Sequence, residues 1–182
     1  MKNTLLFILF LAALSFSACE KEKTPPTELE KLPAATQEGK NTFGCLVDGK
    51  AWTPKWGGLL KPALTPHYNN ILGSFGIVAV RYDGSEIENV LNLSGEGLSI
   101  LETGNYSLSF EETSFSLKSE TCSTPGPVKN GRILINQNGT IQITRLDVST
   151  GIISGTFEFD AVSETCQDTV RITDGRFDIK YK

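Results

Sequence analysis

Four cysteines and one histidine limit the chemistry this chain could carry. A Ser-His-Asp triad, a Cys-His dyad and a zinc cluster all draw on histidine, and several need more than one. His67 can serve at most one such set. Cys45, Cys122 and Cys166 form no CxxC pair, so neither a metal site with His67 nor a Cys45–His67 nucleophile is expected. No cofactor is expected either, because Gly95-Glu96-Gly97 lacks the basic or hydroxyl partner a phosphate cradle needs. Asp147, Glu158, Asp160 and Asp178 raise a carboxylate-dependent hydrolase as a remote alternative. Such an enzyme needs two acids facing across a cleft, whereas Glu158 and Asp160 alternate on a face that reads as solvated. The formal net charge of −4 argues against nucleic acid as a partner, since phosphate neutralisation calls for a basic surplus.

Cys19 has a different fate from the other three. Leu5 to Leu14 is an unbroken apolar run behind Lys2. It is too short for a bilayer span, which takes roughly 20 residues, and the right length for a secretory signal. Ser17-Ala18-Cys19 follows, similar to a bacterial lipobox apart from Phe16, where Leu is usual. Residues 1–18 therefore read as a lipoprotein signal peptide and Cys19 as the lipidation site, a membrane anchor made of several acyl chains. Residues 19–40 are charged, Pro-containing and poor in apolar side chains, which predicts a flexible tether.

Export places the remaining cysteines in an oxidising compartment, where three thiols allow one internal disulfide. Cys122 lies in a Ser/Thr/Pro/Gly loop and Cys166 in a polar turn. Loop cysteines reach the required separation with little distortion, so a Cys122–Cys166 bond is expected. Cys45, between Phe43 and Val47, reads as a buried inert thiol. Trp52, Trp56, His67 and Tyr68 gather in a Gly/Pro-rich stretch. Exposed aromatics there could stack on sugars or anchor a protein partner, which makes Trp56, His67 and Tyr68 the candidate ligand contacts.

The body that must position these residues, 41–182, alternates with a period of two and shows no helical stripe. Asp48-Gly49 and Asp83-Gly84 read as hairpin turns, as does Asn138-Gly139 between Arg132–Gln137 and Thr140–Thr144. Ile71–Tyr82 reads as a strand covered on both faces. The last strand changes phase at Asp174-Gly175, which predicts a β-bulge. The expected fold is all-β, a single antiparallel sandwich of about nine strands, with a closed or partly open barrel as the alternative.

Two blocks, Leu32–Lys50 (LPAATQEGKNTFGCLVDGK) and the C-terminal ISGTFEFDAV and ITDGRFD runs with Ile141–Asp147 before them, are together similar to an uncharacterised outer-membrane lipoprotein family of Bacteroidota-type bacteria. The resemblance covers roughly a third of the chain and transfers no catalytic residue. It implies a lipid-anchored β-domain on the outer membrane, with a surface-exposed and an inward-facing placement both left open. Asp168-Thr169-Val170 resembles the short O-glycan acceptor motif of such bacteria, with Thr169 as the acceptor. The functional expectation is a non-catalytic binding or scaffolding domain of the cell envelope, with a glycan or an envelope protein as partner. A lipocalin-like small-molecule carrier is the alternative.

Overall fold

The computed structural model describes residues 25–94, 99–108, 113–119 and 121–181. The signal segment, Cys19 and the Gly95–Gly97 loop lie outside these. Ten strands form one antiparallel sheet: β1 (Thr42–Val47), β2 (Lys50–Trp52), β3 (Leu64–Asn69), β4 (Ser74–Asp83), β5 (Glu86–Ser94), β6 (Gly104–Leu108), β7 (Ser114–Lys118), β8 (Gly131–Asp147), β9 (Ile152–Ser163) and β10 (Asp168–Lys180). Their order is β2-β1-β10-β9-β8-β7-β5-β4-β3, with β6 also on β8.

The sheet folds over itself rather than closing into a barrel. Its far halves meet through aromatic side chains. Phe75 of β4 lies 5.4 Å from Phe177 of β10, Trp52 of β2 lies 6.0 Å from Phe115 of β7, and Tyr68 of β3 lies 4.9 Å from Tyr181. Between the layers Ile77, Leu91, Leu134, Ile141, Ile153 and Ile179 are fully buried. One isolated main-chain bridge ties the chain leaving β2 to the end of β4. The Lys55 N–H donates to Val80 O (3.0 Å), and the Tyr82 N–H donates to Lys55 O (3.1 Å).

Local sequence explains most of these elements. Asp48 and Gly49 both take positive φ (48° and 76°), the geometry a two-residue hairpin turn requires. Asp174 (φ 52°) marks the bulge in β10, where the register against β9 shifts between Ile172 and Gly175. β4 buries Ile77 and Ala79 in the main core, and Val80 and Tyr82 against Val90 and Val128 on the other face. Its predicted start was too early, because Ile71 and Leu72 sit in an exposed turn.

Asn138-Gly139 is not a turn. β8 runs straight through it for 17 residues, and neither residue has positive φ. β7 pairs with Gly131–Ile135 and β6 with Gly139–Ile143, so two short strands share one long one. A bulge between Asn136 and Asn138 bends β8 at the junction. Gly139 is needed there for closeness: a Cβ would lie 2.7 Å from Asn136 Oδ1 and 2.9 Å from Leu108 Cβ.

In the described stretch from residue 25, the segment read as a tether makes specific contacts with the body. Leu32 is buried, and Glu28 accepts the Ala51 N–H at 2.8 Å. Asp178 then fixes residues 36–40, as set out below. Composition missed this because the segment is held by hydrogen bonds to main-chain donors rather than by apolar burial.

Candidate functional site

The sequence-predicted ligand contacts do not converge. Lys55, next to Trp56, bridges to Arg81, while His67 pairs with Gly76. These positions are five residues apart along β4, about 16 Å at the rise of a strand. His67 and Tyr68 are adjacent on β3 and point to opposite faces. His67 is exposed, whereas Tyr68 turns inward against Tyr181 and donates its hydroxyl to Ile100 O (2.8 Å). Trp56 is 62% exposed. Trp56 and His67 are both exposed, whereas Tyr68 is only partly so.

Cys45, Cys122 and Cys166 fall as read. Cys122 and Cys166 are bonded, joining the β7–β8 connection to the β9–β10 turn. The Arg132–Asp168 ion pair lies beside them, and Arg132 also donates to Ser119 Oγ at 2.8 Å. Cys45 is free and buried, and burial pushes its thiol up to about 12, with Arg81 pulling weakly the other way. A thiol so raised is a poor nucleophile, and the exposed His67 cannot activate it. Thr169 is exposed on β10, just past the last β1 contact at Ile172.

The carboxylates divide into three kinds. Asp178 is buried at 1% exposure and accepts five hydrogen bonds, from Thr36 and Ser154 hydroxyls and from the N–H groups of Glu38, Gly39 and Lys40. Burial alone would raise its pKa, but these donors together hold it well below the usual carboxylate range. Asp147 caps its own turn through Ser149 and Thr150 and pairs with Arg145; these bonds lower its pKa as well. Asp160 pairs with Arg171 across β9 and β10 at 3.7 Å. Glu158 is exposed on the outer face.

That outer face carries a feature the sequence reading missed. Asn105, Gln142, Thr156 and Arg176 are direct cross-strand partners on β6, β8, β9 and β10. Thr140 and Glu158 form the adjacent rung. Together they line an open groove of about 470 Å³, closed at one side by Ala35 of the N-terminal segment. Among the described residues the side chains of Asn105, Thr140, Gln142 and Thr156 have no intramolecular hydrogen bond, and Arg176 Nε donates to Asp174 O at 3.2 Å. The groove therefore presents two amides, two hydroxyls, two carboxylates (Glu158 and Asp174) and a guanidinium on one sheet face. The signal was present as polar residues at every second position of 140–144 and 156–160. It was hidden because reading Asn138-Gly139 as a turn broke β8 apart.

A family model described as a domain of unknown function, DUF6252, matches residues 68–178. The chain belongs to this family. The DUF6252 match runs through the middle of the body, which the sequence resemblance left unassigned, and contains the groove strands, both disulfide cysteines and Asp178. Trp56 and His67 precede it. No curated protein and no solved structure matches the chain.

Proposed function

We propose that this DUF6252 protein is a lipid-anchored, non-catalytic binding domain of the cell envelope, held at the outer membrane through Cys19. Its ligand groove crosses β6, β8, β9 and β10. The observation that carries this reading is the row of unpaired polar side chains on a rigid outer sheet face. Amides and hydroxyls at fixed strand spacing suit a hydroxyl-rich chain such as a glycan, which exchanges water for several hydrogen bonds at once.

The two other readings fare less well. A lipocalin-like carrier needs an apolar cavity between the layers, and that space is occupied by Phe43, Trp52, Phe75, Phe115, Phe157 and Phe177. A hydrolase needs a general acid with a raised pKa. Among the described residues, Glu28, Glu30, Asp147 and Asp178 have pKa values lowered by their hydrogen bonds, the wrong direction for that role. A protein partner is the second reading. It is favoured by Ile71, Leu72 and Leu101, exposed at 83%, 66% and 58% around the Gly73–Ile100 contact.

A glycan array probed with the soluble chain tests the main reading. Binding that falls at least about tenfold in Gln142→Ala and Arg176→Ala, each removing a hydrogen-bonding group, supports it. An array without hits retires the glycan form. Labelled palmitate incorporated by the wild type and lost in Cys19→Ala tests the anchor separately.

A further inference from the structure

We propose that the loop Trp56–Leu60 is a second membrane contact, dipping into the lipid surface and fixing the orientation of the anchored domain. Trp56, Leu59 and Leu60 are 62%, 87% and 91% exposed within five residues. Large apolar side chains scattered singly on a surface need no explanation, but three together in one loop do. The loop does not hang free. The Gly57 and Lys61 N–H groups donate to Lys61 O and Gly58 O (3.4 and 3.1 Å), Lys61 Nζ donates to Ser85 O (2.7 Å), and the Lys55 bridge holds its first stem. Lys55 and Lys61 bracket the apolar residues, the arrangement that lets ammonium groups reach lipid headgroups while the side chains between them go deeper.

The position of the chain's exit selects lipid as the occupant. Glu28 is bonded to Ala51, four residues before Lys55. Leu32 and Pro33 share one groove with Thr53 and Pro54 and with Ala63 and Leu64, which are the two stems of the loop. Eight residues lie between Cys19 and Glu28, a reach of at most about 30 Å. A chain anchored at Cys19 therefore holds this loop beside the bilayer at high effective concentration, so even a weak apolar contact is populated. The other apolar patch, Ile71, Leu72 and Leu101, lies at the opposite end of β4, about 25 Å from Arg81 at strand rise, and is not part of the contact. The placement rests on the lipid-anchor reading, but the loop's own affinity for lipid does not require the acyl chains.

The test uses the chain from residue 20 onward, which retains every buried residue of the described fold. It is mixed with phosphatidylcholine vesicles, with or without phosphatidylglycerol, some carrying brominated acyl chains. Trp56 emission is expected to shift to shorter wavelength and to be quenched by bromine, while buried Trp52 stays silent and Trp56→Phe abolishes the change. Partitioning should fall at least about tenfold in Leu59→Ser/Leu60→Ser, two side chains' worth of apolar transfer. It should be unchanged in Ile71→Ser/Leu72→Ser. All four side chains are solvent-facing, so both variants keep the wild-type circular dichroism. Stronger binding to anionic vesicles adds a contribution from the lysines and supports the contact, as does equal binding to both. No quenching, or equal losses in the two double variants, overturns it. The palmitate experiment reads the anchor independently, so a labelled Cys19 with no vesicle binding defeats this contact alone.

Discussion

At the residue scale the two most informative groups are both buried and both structural. Asp178 carries a charge inside the protein because five donors surround it, and three of them are main-chain N–H groups of residues 38–40. Its pKa is lowered in the folded state, so its stabilising contribution is complete above the unfolded carboxylate pKa of about 4 and is lost as pH falls below that value. Asp178→Asn removes the charge and turns an NH2 toward these donors. It should cost about 2–4 kcal/mol at neutral pH and flatten the acid limb of a denaturant-midpoint against pH curve. A variant as stable as wild type at pH 7 would show that residues 36–40 are held by something else. Cys45 gives the complementary case. With its thiol pushed up to about 12 by burial, it should resist a thiol-reactive dye in native protein and react in denaturant, since the thiolate is the reacting form. Rapid native labelling would contradict its place in the core.

At the element scale β8 shows what sequence can and cannot reveal. Asp48-Gly49 and Asn138-Gly139 look alike as dipeptides between alternating runs, yet one is a turn and the other lies inside a strand. Local propensity sufficed for the first, because a three-residue β2 has nowhere to go but back along β1. It failed for the second because the deciding partners are distant in sequence. β6 and β7 divide β8 between them, and Leu108 packs where a Cβ on residue 139 would go. The bulge at Asp174, by contrast, was visible as a change of phase within one strand. The groove was illegible for the same reason as β8, since its rungs join Asn105 to Arg176 across three ladders. Gly139→Ala should cost about 1–3 kcal/mol through overpacking at the bend, measured by denaturant unfolding. A turn with positive φ at 139 would also penalise alanine, so Asn138→Ala discriminates. It should be nearly neutral in a strand, its side chain being exposed, and costly in a type I′ turn.

At the scale of the whole molecule, three ties join parts of the chain that the sheet alone leaves apart. Asp178 clamps the N-terminal segment onto β10, the Lys55 bridge laces β4 to the chain leaving β2, and Cys122–Cys166 joins two connections 44 residues apart. The disulfide's effect is the most readily separated. Constraining a loop of that length in the unfolded chain contributes about 4 kcal/mol on the entropy model, roughly a 10–15 °C change in Tm for a domain of this size. Cys122→Ala/Cys166→Ala should show that drop, and reduced wild type should match it. Both should keep the native β-sheet spectrum at room temperature, because neither sulfur belongs to the apolar core between the layers. If reduction costs much more than the double substitution, the thiols themselves destabilise the native loop. If both cost under about 1 kcal/mol, the Arg132–Asp168 pair and the β7–β8–β9–β10 ladder already hold these connections together, and the bond adds little to them.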